Sequence, residues 1–248
     1  MRLTVLSDIH GNLEAFRAVL ADARRTAPGA PLVCLGDMVG YGADPEEVVQ
    51  EARAAGVASV LGNHEMGVVR PGTRDRFNPQ AWNAVRWAAS RLSPQSMDFL
   101  AGLPESLVLH GCRFVHGLPP DEVDTYLFQA SQAQVVRAMK HMTEDVCFIG
   151  HTHQLRLVTL EGDSIKGERL PEGDTALAAG KRFIVNAGAV GQPRDGDPRA
   201  KYCVYDTGNR VLTVRYVPYD NMAAARKILE AGQPRVYAER LADLDRDA

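Results

Sequence analysis

The chain has 248 residues, of which 45% are hydrophobic and 24% are charged. These are ordinary values for a globular protein with a buried core, and they exclude a disordered or fibrous chain. The formal net charge of −3 at pH 7 excludes the global basic field of a protein that coats nucleic acid. We therefore expect one domain over residues 1–248, in which any attraction for phosphate is local.

The sequence shows no pattern typical of a secretion signal or a membrane anchor. The first apolar segment begins next to Met1, without a basic start or a small-residue cleavage site after it. No apolar run approaches the roughly 20 residues that cross a bilayer. The four cysteines form no Cys-x-x-Cys pair, which favours small buried side chains over a zinc or redox site. These observations predict a cytoplasmic protein.

The first quarter of the chain alternates between apolar strands and amphipathic helices. The pattern assigns strands to residues 2–7, 31–35 and 57–61 and helices to residues 12–25 and 45–55. Such alternation predicts parallel strands joined by helical crossovers. Asp8, Asp37 and Asn63 follow the three strands at or near their ends. Because ligands bind at the carboxyl ends of strands in open α/β sheets, we expect a site at this edge.

The rest of the chain carries further helices and a larger share of strand. The pattern assigns helices to residues 78–92, 131–141, 220–231 and 236–244, and strands to residues 107–109, 113–115, 146–149, 154–160, 181–185, 201–205 and 211–217. The short polar turns between the later strands favour antiparallel sheet. Residues 161–180 are polar and glycine-rich, and we expect a mobile connection there. We expect the last two helices to pack on the outside.

Five short clusters place polar side chains beside glycine at strand ends. They are Asp8-Ile9-His10, residues 36–40, residues 62–65, His116-Gly117 and residues 150–153. An Asp followed two residues later by a His directs both side chains to one side of an extended chain, and His151 with His153 repeats this spacing. Carboxylate and imidazole together suit Fe, Mn, Zn or Ni better than Mg or Ca. The clusters therefore indicate a transition-metal site.

Each of these residues also has a structural explanation when it is taken alone. A lone histidine is more often held by a backbone carbonyl than by a metal. Asp8 and Asp37 are equally suited to capping turns. Glu65 fits a residue that orients His64, and it fits an exposed loop carboxylate as well. Five histidines in matched clusters nevertheless favour the metal site.

The five clusters, in this order over residues 8–153, resemble the calcineurin-like metallophosphoesterase superfamily. Every signature element of that family is present, and five elements in order carry more weight than any one alone. The resemblance implies a four-layer α/β sandwich, in which two mixed β-sheets pack face to face and helices cover both outer faces. It also implies two divalent or trivalent metal ions, with Mn and Fe as the leading candidates and Zn or Ni as alternatives.

The same resemblance assigns roles to individual residues. It divides the ligands between two ions that share one carboxylate: Asp8, His10 and His153 for the first, Asn63, His116 and His151 for the second, and Asp37 for both. Two such ions share a hydroxide that attacks phosphorus in line. His64 would protonate the leaving oxygen or stabilise charge on the phosphoryl group, and Asp8 would orient His64 or share a proton with it.

Residues 186–200 form a turn-rich stretch that resembles a bacterial branch of the superfamily. That branch includes small phosphodiesterases and enzymes that split diadenosine tetraphosphate, and residues 40–45 resemble it too. Ala187 and Ala189 stand in place of the Pro and Ser of the branch's Asn-Pro-Gly-Ser stretch, so the Ser hydroxyl is lost while the metal site is retained. Arg194 is the candidate for binding substrate phosphate through its planar guanidinium, and a solvated surface arginine is a nearly equal alternative.

These observations predict a dinuclear-metal-dependent phosphoesterase that hydrolyses a phosphodiester or phosphoanhydride of a small nucleotide-like substrate. The clusters indicate the reaction, whereas only the resemblance indicates the substrate. The alternatives are a serine/threonine-type protein phosphatase, a metal-dependent nuclease and a catalytically silent scaffold of the same fold. No long basic stripe for DNA and no peptide-docking segment is visible, and His64 counts against the scaffold. The expected partner is a small phosphorylated substrate, with no membrane and no strong sign of nucleic-acid binding.

Overall fold

The structure, a computed structural model, describes residues 1–70 and 72–242. Its strands are β1 (Arg2–Leu6), β2 (Leu32–Cys34), β3 (Ala58–Ser59), β4 (Ser106–Leu109), β5 (Cys112–Val115), β6 (Val146–Ile149), β7 (Leu155–Glu161), β8 (Ser164–Arg169), β9 (Gly173–Ala176), β10 (Phe183–Ala187), β11 (Ala200–Asp206) and β12 (Val211–Val217). Its helices are α1 (Leu13–Thr26), α2 (Pro45–Ala54), α3 (Asn63–Val69), α4 (Pro79–Ala89), α5 (Pro94–Ala101), α6 (Gln132–His141), α7 (Asn221–Glu230) and α8 (Arg235–Glu239). A short 3-10 turn covers Arg74–Arg76.

The strands form two mixed sheets of six strands each. The first sheet has the order β3-β2-β1-β11-β12-β9, and the second has the order β4-β5-β6-β10-β7-β8. In the first sheet β1, β2 and β3 are parallel, because α1 and α2 return the chain to the same end. The remaining strands of that sheet pair antiparallel. The predicted parallel start and antiparallel continuation are both confirmed.

Side-chain alternation along β1 shows how the layers are built. Leu3 and Val5 lie in the core between the two sheets, with the stacked rings of Phe114 and Phe148. Leu6 belongs to the core on the other face of the sheet, against α1 and α2. A further core packs α6 on the second sheet. Two sheets with helices on both outer faces confirm the four-layer sandwich.

Local sequence explains where α1 begins and which face it buries. The Asn12 side chain accepts a hydrogen bond from Ala15 N at 3.0 Å, a cap that stabilises a helix by about 1 kcal/mol. Phe16, Val19 and Leu20 are buried against the first sheet, and each buried side chain of this kind contributes roughly 1.5–3 kcal/mol. The cap fixes the start of α1 directly after the first polar cluster.

The predicted mobile connection at residues 161–180 contains two strands, β8 and β9, so that prediction was wrong. Both lie at sheet edges, and most of their side chains are exposed. An edge strand with both faces exposed to solvent has no alternating apolar pattern, and its sequence therefore resembles that of a loop. All four cysteines are free and buried, as expected.

The C-terminal helices do more than cover the outside of the molecule. α7 and α8 form a separate core with α4 and with Tyr41, which lies in the loop after β2. Tyr237 of α8 is 1% exposed. The predicted helix at residues 236–244 runs beyond the described residues at its end. Among the described helices, none has the length and apolar character needed to cross a membrane.

Candidate metal centre and active site

The polar clusters of the sequence meet at one edge of the sandwich, around a cavity of about 230 Å³. We call it the strand-end cavity. Its lining consists of Asp37, Tyr41, Asn63, His64, Arg76, Phe77, Asn78, Gln80, Ala81, Asp124, Tyr126, His151, His153, Arg194, Tyr237 and Arg240. The structure thus brings the predicted clusters together, as parallel strands predict for their carboxyl ends.

The first group of candidate ligands is Asp8, His10 and His153, and all three are buried. The Nε2 atom of His153 lies 3.2 Å from Asp8 Oδ1 and 3.2 Å from His10 Nε2. One ligand atom of each residue lies within 4.8 Å of the others. Three donors that converge in this way can share one cation.

The second group is Asp37, His116 and His151, with Asn63 beside them. His116 Nε2 lies 3.3 Å from Asp37 Oδ2, 3.1 Å from His151 Nδ1 and 3.1 Å from Asn63 Oδ1. These are the donors that the family resemblance implies for the second metal, with Asp37 shared between the two.

Asp37 lies between the two groups. Its Oδ2 atom is 3.3 Å from His116 Nε2 in the second group and 3.6 Å from His10 Nε2 in the first. The same oxygen is 4.0 Å from His64 Nε2. One carboxylate oxygen therefore faces both groups.

The other ring nitrogen of each of the four candidate ligand histidines is held by a backbone carbonyl. Nδ1 of His10, His116 and His153 lies 3.0, 2.7 and 2.5 Å from the carbonyl oxygens of Val39, Leu35 and Gln192 respectively. A carbonyl can only accept, so Nδ1 carries the proton and Nε2 presents its lone pair to the group. In His151 the roles are exchanged, because Nε2 lies 3.2 Å from Asp124 O. This arrangement is typical of metal-binding histidines.

Burial and charge set the protonation of the site. Burial alone would raise the pKa of Asp8, but the neighbouring His153 outweighs it and holds that pKa well below the usual range. Burial lowers the pKa of His64 to about 4 and that of His151 to about 3. For His116, burial is opposed by Asp37, which raises the pKa to about 9, so a metal ion that binds Nε2 would displace a proton from this ring at pH 7. An ionised carboxylate beside neutral imidazoles is the state that binds metal.

Two buried polar atoms of the site are left without a hydrogen bond, although His153 Nε2 lies 3.2 Å from one of them. Asp8 Oδ1 and His64 Nδ1 form no hydrogen bond with any described residue. The short contacts between ring nitrogens of different histidines place lone pairs against each other. A bound cation would satisfy Asp8 Oδ1 and the facing ring nitrogens, which otherwise cost free energy in a buried site. The residues present therefore fit divalent metal ions.

Backbone conformation separates this edge from the rest of the described chain. Eight residues other than glycine have positive φ, and six of them belong to the site: Asp8, His10, Asp37, Tyr41, His151 and His153. Such conformations cost free energy and are concentrated at functional sites. Gly36 has a φ of +94°, and a Cβ there would lie 2.5 Å from the backbone nitrogen of Gly62. The close approach of the two loops requires this glycine.

Glu65 is a site residue whose position the sequence left open. Its carboxylate is fully buried and accepts hydrogen bonds from the backbone N–H groups of Asp37, Val39 and Gly62 at 2.7, 3.1 and 3.0 Å. Burial, followed by the charge of Asp37, raises the pKa of Glu65 to about 7. Glu65 thus joins the loop after β2 to the start of α3. Glu65 is the third residue of α3 and supplies one half of a capping box, since its carboxylate accepts from the N–H of Gly62 while Gly62 has no side chain for the other half.

Asn186 positions the turn that carries two of the candidate ligands. Its Nδ2 donates to Gly150 O at 2.6 Å and to Thr152 Oγ1 at 2.9 Å. The sequence predicted a turn-rich stretch from this residue onward, and the structure shows that the stretch supports the ligand loops. Ala187 and Ala189 are fully buried in it.

Arg194, the candidate for binding substrate phosphate, lines the strand-end cavity. It is exposed, and its guanidinium lies beside the Tyr126 hydroxyl. Arg76 also lines the cavity, but it pairs with Asp124 at 2.7 Å. Asp8 Oδ1 faces the rings of His10 and His153, and Asp8 Oδ2 accepts from His151 N and Ser7 Oγ. The carboxylate beside the His64 ring is instead Asp37.

Aromatic residues form the remaining wall, and among them only Tyr41 had a sequence signal, because it lies in the stretch 40–45 that resembles the bacterial branch. The Tyr126 ring stacks on the His151 ring, with centroids 3.6 Å apart. The Tyr41 ring lies 4.7 Å from those of His10 and His64. Tyr237 packs against Tyr41 at 4.9 Å. These residues lie outside the five clusters and reach the site only through the fold.

Comparison with known proteins agrees with this architecture. The sequence model of the calcineurin-like phosphoesterase superfamily domain matches residues 1–210. The protein MJ0912 of Methanocaldococcus jannaschii is 35% identical over 244 residues, which cover 96% of each chain. A metallophosphoesterase from Sphaerobacter thermophilus superposes with a TM-score of 0.82 at 32% identity, over 97% of this chain and 98% of that one. The protein PH1004 of Pyrococcus horikoshii shares the fold, with a TM-score of 0.76 at 16% identity over 97% of each chain.

Proposed function

The chain belongs to the calcineurin-like phosphoesterase superfamily, and from this membership we propose that it hydrolyses a phosphodiester or phosphoanhydride of a small nucleotide-like substrate with two metal ions. One observation carries the proposal: Asp37 Oδ2 lies 3.3 Å from His116 Nε2 and 3.6 Å from His10 Nε2. A carboxylate oxygen between two groups of donors suits a ligand shared by two ions. Residues 1–248 would act as one domain.

The proposed ligands are divided as the sequence suggests: Asp8, His10 and His153 for one ion, Asn63, His116 and His151 for the other, and Asp37 for both. Their mixture of imidazole and carboxylate favours Mn or Fe, with Zn or Ni as alternatives. Bound ions of this kind supply Lewis-acid chemistry, in that they polarise phosphoryl oxygens and lower the pKa of a water molecule.

His64 is the proposed group that acts on the leaving oxygen. Its ring is 3% exposed and lines the strand-end cavity. Because burial lowers the pKa of His64 to about 4, the imidazole is neutral at pH 7 and acts through an N–H group. A neutral imidazole aimed at an oxygen that gains negative charge stabilises that charge by hydrogen bonding. His64 would therefore donate to the leaving oxygen or to the phosphoryl group.

The strand-end cavity supports a small anionic substrate. It holds about 230 Å³, which is near the lower end of the range for small-molecule sites. Arg194 supplies a positive charge at its mouth, and Tyr41 and Tyr126 supply aromatic walls. The net charge of −3 offers no support for a nuclease, since nucleic-acid binding draws on many cationic groups.

The test compares the hydrolysis of bis(p-nitrophenyl) phosphate with that of p-nitrophenyl phosphate by metal-free protein refilled with manganese. We expect a clear preference for the diester. A preference for the monoester would indicate a phosphatase, and no hydrolysis of either by protein that holds two manganese ions per chain would contradict the enzyme. A phosphopeptide and a DNA duplex complete the assay, and rates on these that equal the diester rate would overturn the choice of substrate.

A further inference from the structure

Two guanidinium groups from distant parts of the chain line the strand-end cavity. Arg194 lies in the loop between β10 and β11, and Arg240 follows α8. The family match ends at residue 210, so Arg240 belongs to a C-terminal part beyond the matched region. This part nevertheless contributes both Tyr237 and Arg240 to the cavity. The wall of the site is completed by residues outside the family's common domain.

The C-terminal wall is held in place by specific contacts. Tyr237 packs on Tyr41, and its hydroxyl donates to the carbonyl oxygen of Gln80 at 2.8 Å. Gln192 Nε2 donates to the carbonyl oxygen of Tyr237 at 3.2 Å. Gln192 also binds His153 through its own carbonyl oxygen. Arg240, three residues after Tyr237, therefore has a fixed relation to the candidate metal ligands.

The loop that carries Arg194 is fixed as well. Lys201 is 1% exposed, and its Nζ binds Asp195 Oδ1 at 2.7 Å and also contacts the Asp197 carbonyl oxygen. The neighbouring carboxylates of this loop are thus used by Lys201 and by Arg199, which pairs with Asp197 at 2.6 Å. Arg194 itself remains available to a ligand. A binding group held in place before its ligand arrives loses less entropy when it binds.

Within residues 1–70 and 72–242, neither Arg194 nor Arg240 forms an ion pair. The third arginine of the cavity shows the contrast, because Arg76 is neutralised by Asp124 at 2.7 Å. Burial, and after it the charge of Arg194, lowers the pKa of Arg240. Two like charges that face one cavity repel each other, and an anion bound between them would remove that repulsion.

We propose that Arg194 and Arg240 form a second anion subsite, which binds a phosphate group of the substrate other than the one that is hydrolysed. This inference rests on the proposed function, because it concerns the same cavity. Each planar guanidinium can offer two parallel N–H groups to a phosphate. The subsite makes the C-terminal helices a determinant of specificity, and it favours substrates with two phosphate groups over substrates with one.

The test measures binding to the manganese-loaded protein by calorimetry. The ligands are AMP, α,β-methylene-ADP, whose second phosphorus is adjacent, and adenosine 3′,5′-bisphosphate, whose second phosphate lies across the sugar. We expect at least one of the doubly phosphorylated ligands to bind about 10-fold or more tightly than AMP, since a charge-assisted contact of this kind changes affinity by that order. Arg194→Ala and Arg240→Ala should each remove most of this advantage.

Arg226→Ala is the matched control. Arg226 is exposed on α7 and does not line the cavity, so its replacement removes one positive charge from the same part of the molecule and should keep the advantage. Equal affinity of the wild type for all three ligands, or an undiminished advantage in Arg240→Ala, would overturn the subsite. Diester hydrolysis reports separately on the proposed function. Wild-type protein that hydrolyses the diester without preferring a doubly phosphorylated ligand refutes only the subsite.

Discussion

Two regions of the molecule bury an aspartate, and the two carboxylates are surrounded by different kinds of groups. Asp22, on α1, accepts hydrogen bonds from Tyr202 Oη at 2.8 Å and from Nε and Nη2 of Arg215 at 3.1 Å each, and it pairs with Arg25 as well. Asp37, at the strand-end cavity, faces imidazoles and has a φ of +55°. The first carboxylate meets cationic and hydroxyl donors, whereas the second meets ring nitrogens.

The difference distinguishes a structural cluster from a functional one. The Asp22 cluster contains its own counter-charges, so it is complete within the protein. The cluster around Asp37 contains a second buried carboxylate, Asp8, whose pKa burial and the charge of Asp37 would raise but His153 and His116 hold below its usual range. Such a cluster is completed by a cation from solution. Removing charge from the two regions should therefore affect different properties, namely stability at Asp22 and activity at Asp37.

The largest expected effect follows from Asp37→Asn. The variant keeps the size of the side chain but loses the shared charge, and we expect kcat/KM for the diester to fall by about 10³-fold, at the scale of a lost electrostatic contact to the transition state. Metal content should fall below two ions per chain. Steady-state kinetics and elemental analysis measure both. Full activity in Asp37→Asn would contradict the assignment of Asp37 to a functional cluster. Asp22→Asn is the control and is expected to retain activity.

His64→Ala sharpens the comparison within the site. The substitution removes the proposed donor to the leaving oxygen but leaves every proposed ligand, so we expect turnover to fall by about 10²-fold with metal content unchanged. His141→Ala is the matched control, since His141 is an exposed histidine in the last turn of α6. If His64→Ala lost metal together with activity, His64 would be a metal ligand instead. Its position allows this, because His10, Asp37 and His64 lie close enough to share one ion.

Manganese should stabilise the strand-end region against unfolding, and it should leave unchanged the contribution of Asp22 to the stability of the fold. A ligand that binds only the folded state at about 100 times its Kd stabilises a protein by about 2.7 kcal/mol. We expect thermal unfolding of the metal-free protein to shift upward on addition of manganese, and Asp22→Asn to show the same shift from a lower starting point. Asp37→Asn should lose most of the shift. An equal shift in all three proteins would mean that the ion binds elsewhere.

The sequence could predict one of these two regions and not the other. The proposed ligands at the cavity lie in short clusters beside glycines, and each cluster follows an apolar strand, so a local pattern reveals both the residue and its place in the sheet. Asp22 lies in a helical segment like any surface aspartate. Its partners Tyr202 and Arg215 are about 180 and 190 residues away in the chain, and only the packing of α1 on the first sheet brings them together.

The same distinction explains what was missed at the site. Tyr126 and Arg240 reach the cavity from segments without a motif, so no local pattern marks them. Glu65 was visible, but its burial depends on the contact between the loop after β2 and α3. The α/β alternation was accessible because strand and helix periodicities are local, and the four-layer sandwich was implied by the family resemblance. β8 and β9 escaped because edge strands with two exposed faces lack that periodicity.

The smallest effect concerns the stability of the Asp22 cluster. The Asp22 side chain is 9% exposed and pairs with Arg215, which is about one-third exposed. We expect Asp22→Asn to lower the free energy of unfolding by about 2 kcal/mol at pH 7, at the scale of hydrogen bonds to a charged group. Urea unfolding measures this. The matched control is Glu51→Gln, which removes the more exposed ion pair with Arg17 and should cost less than about 1 kcal/mol.

The pH dependence of the difference in unfolding free energy between wild type and Asp22→Asn identifies the origin of that difference. Burial alone would raise the pKa of Asp22, but the hydrogen bonds from Arg215 and Tyr202 outweigh it and lower that pKa below its ordinary value. A carboxyl group whose pKa is lower in the folded than in the unfolded state stabilises the fold above the unfolded pKa, which is about 3.9 for Asp. This contribution is lost as the pH falls through the folded pKa. The difference between wild type and Asp22→Asn should therefore be constant from pH 7 to pH 5 and shrink below about pH 4. A difference that persists unchanged at pH 3 would show that side-chain geometry, rather than the charge of Asp22, stabilises this region.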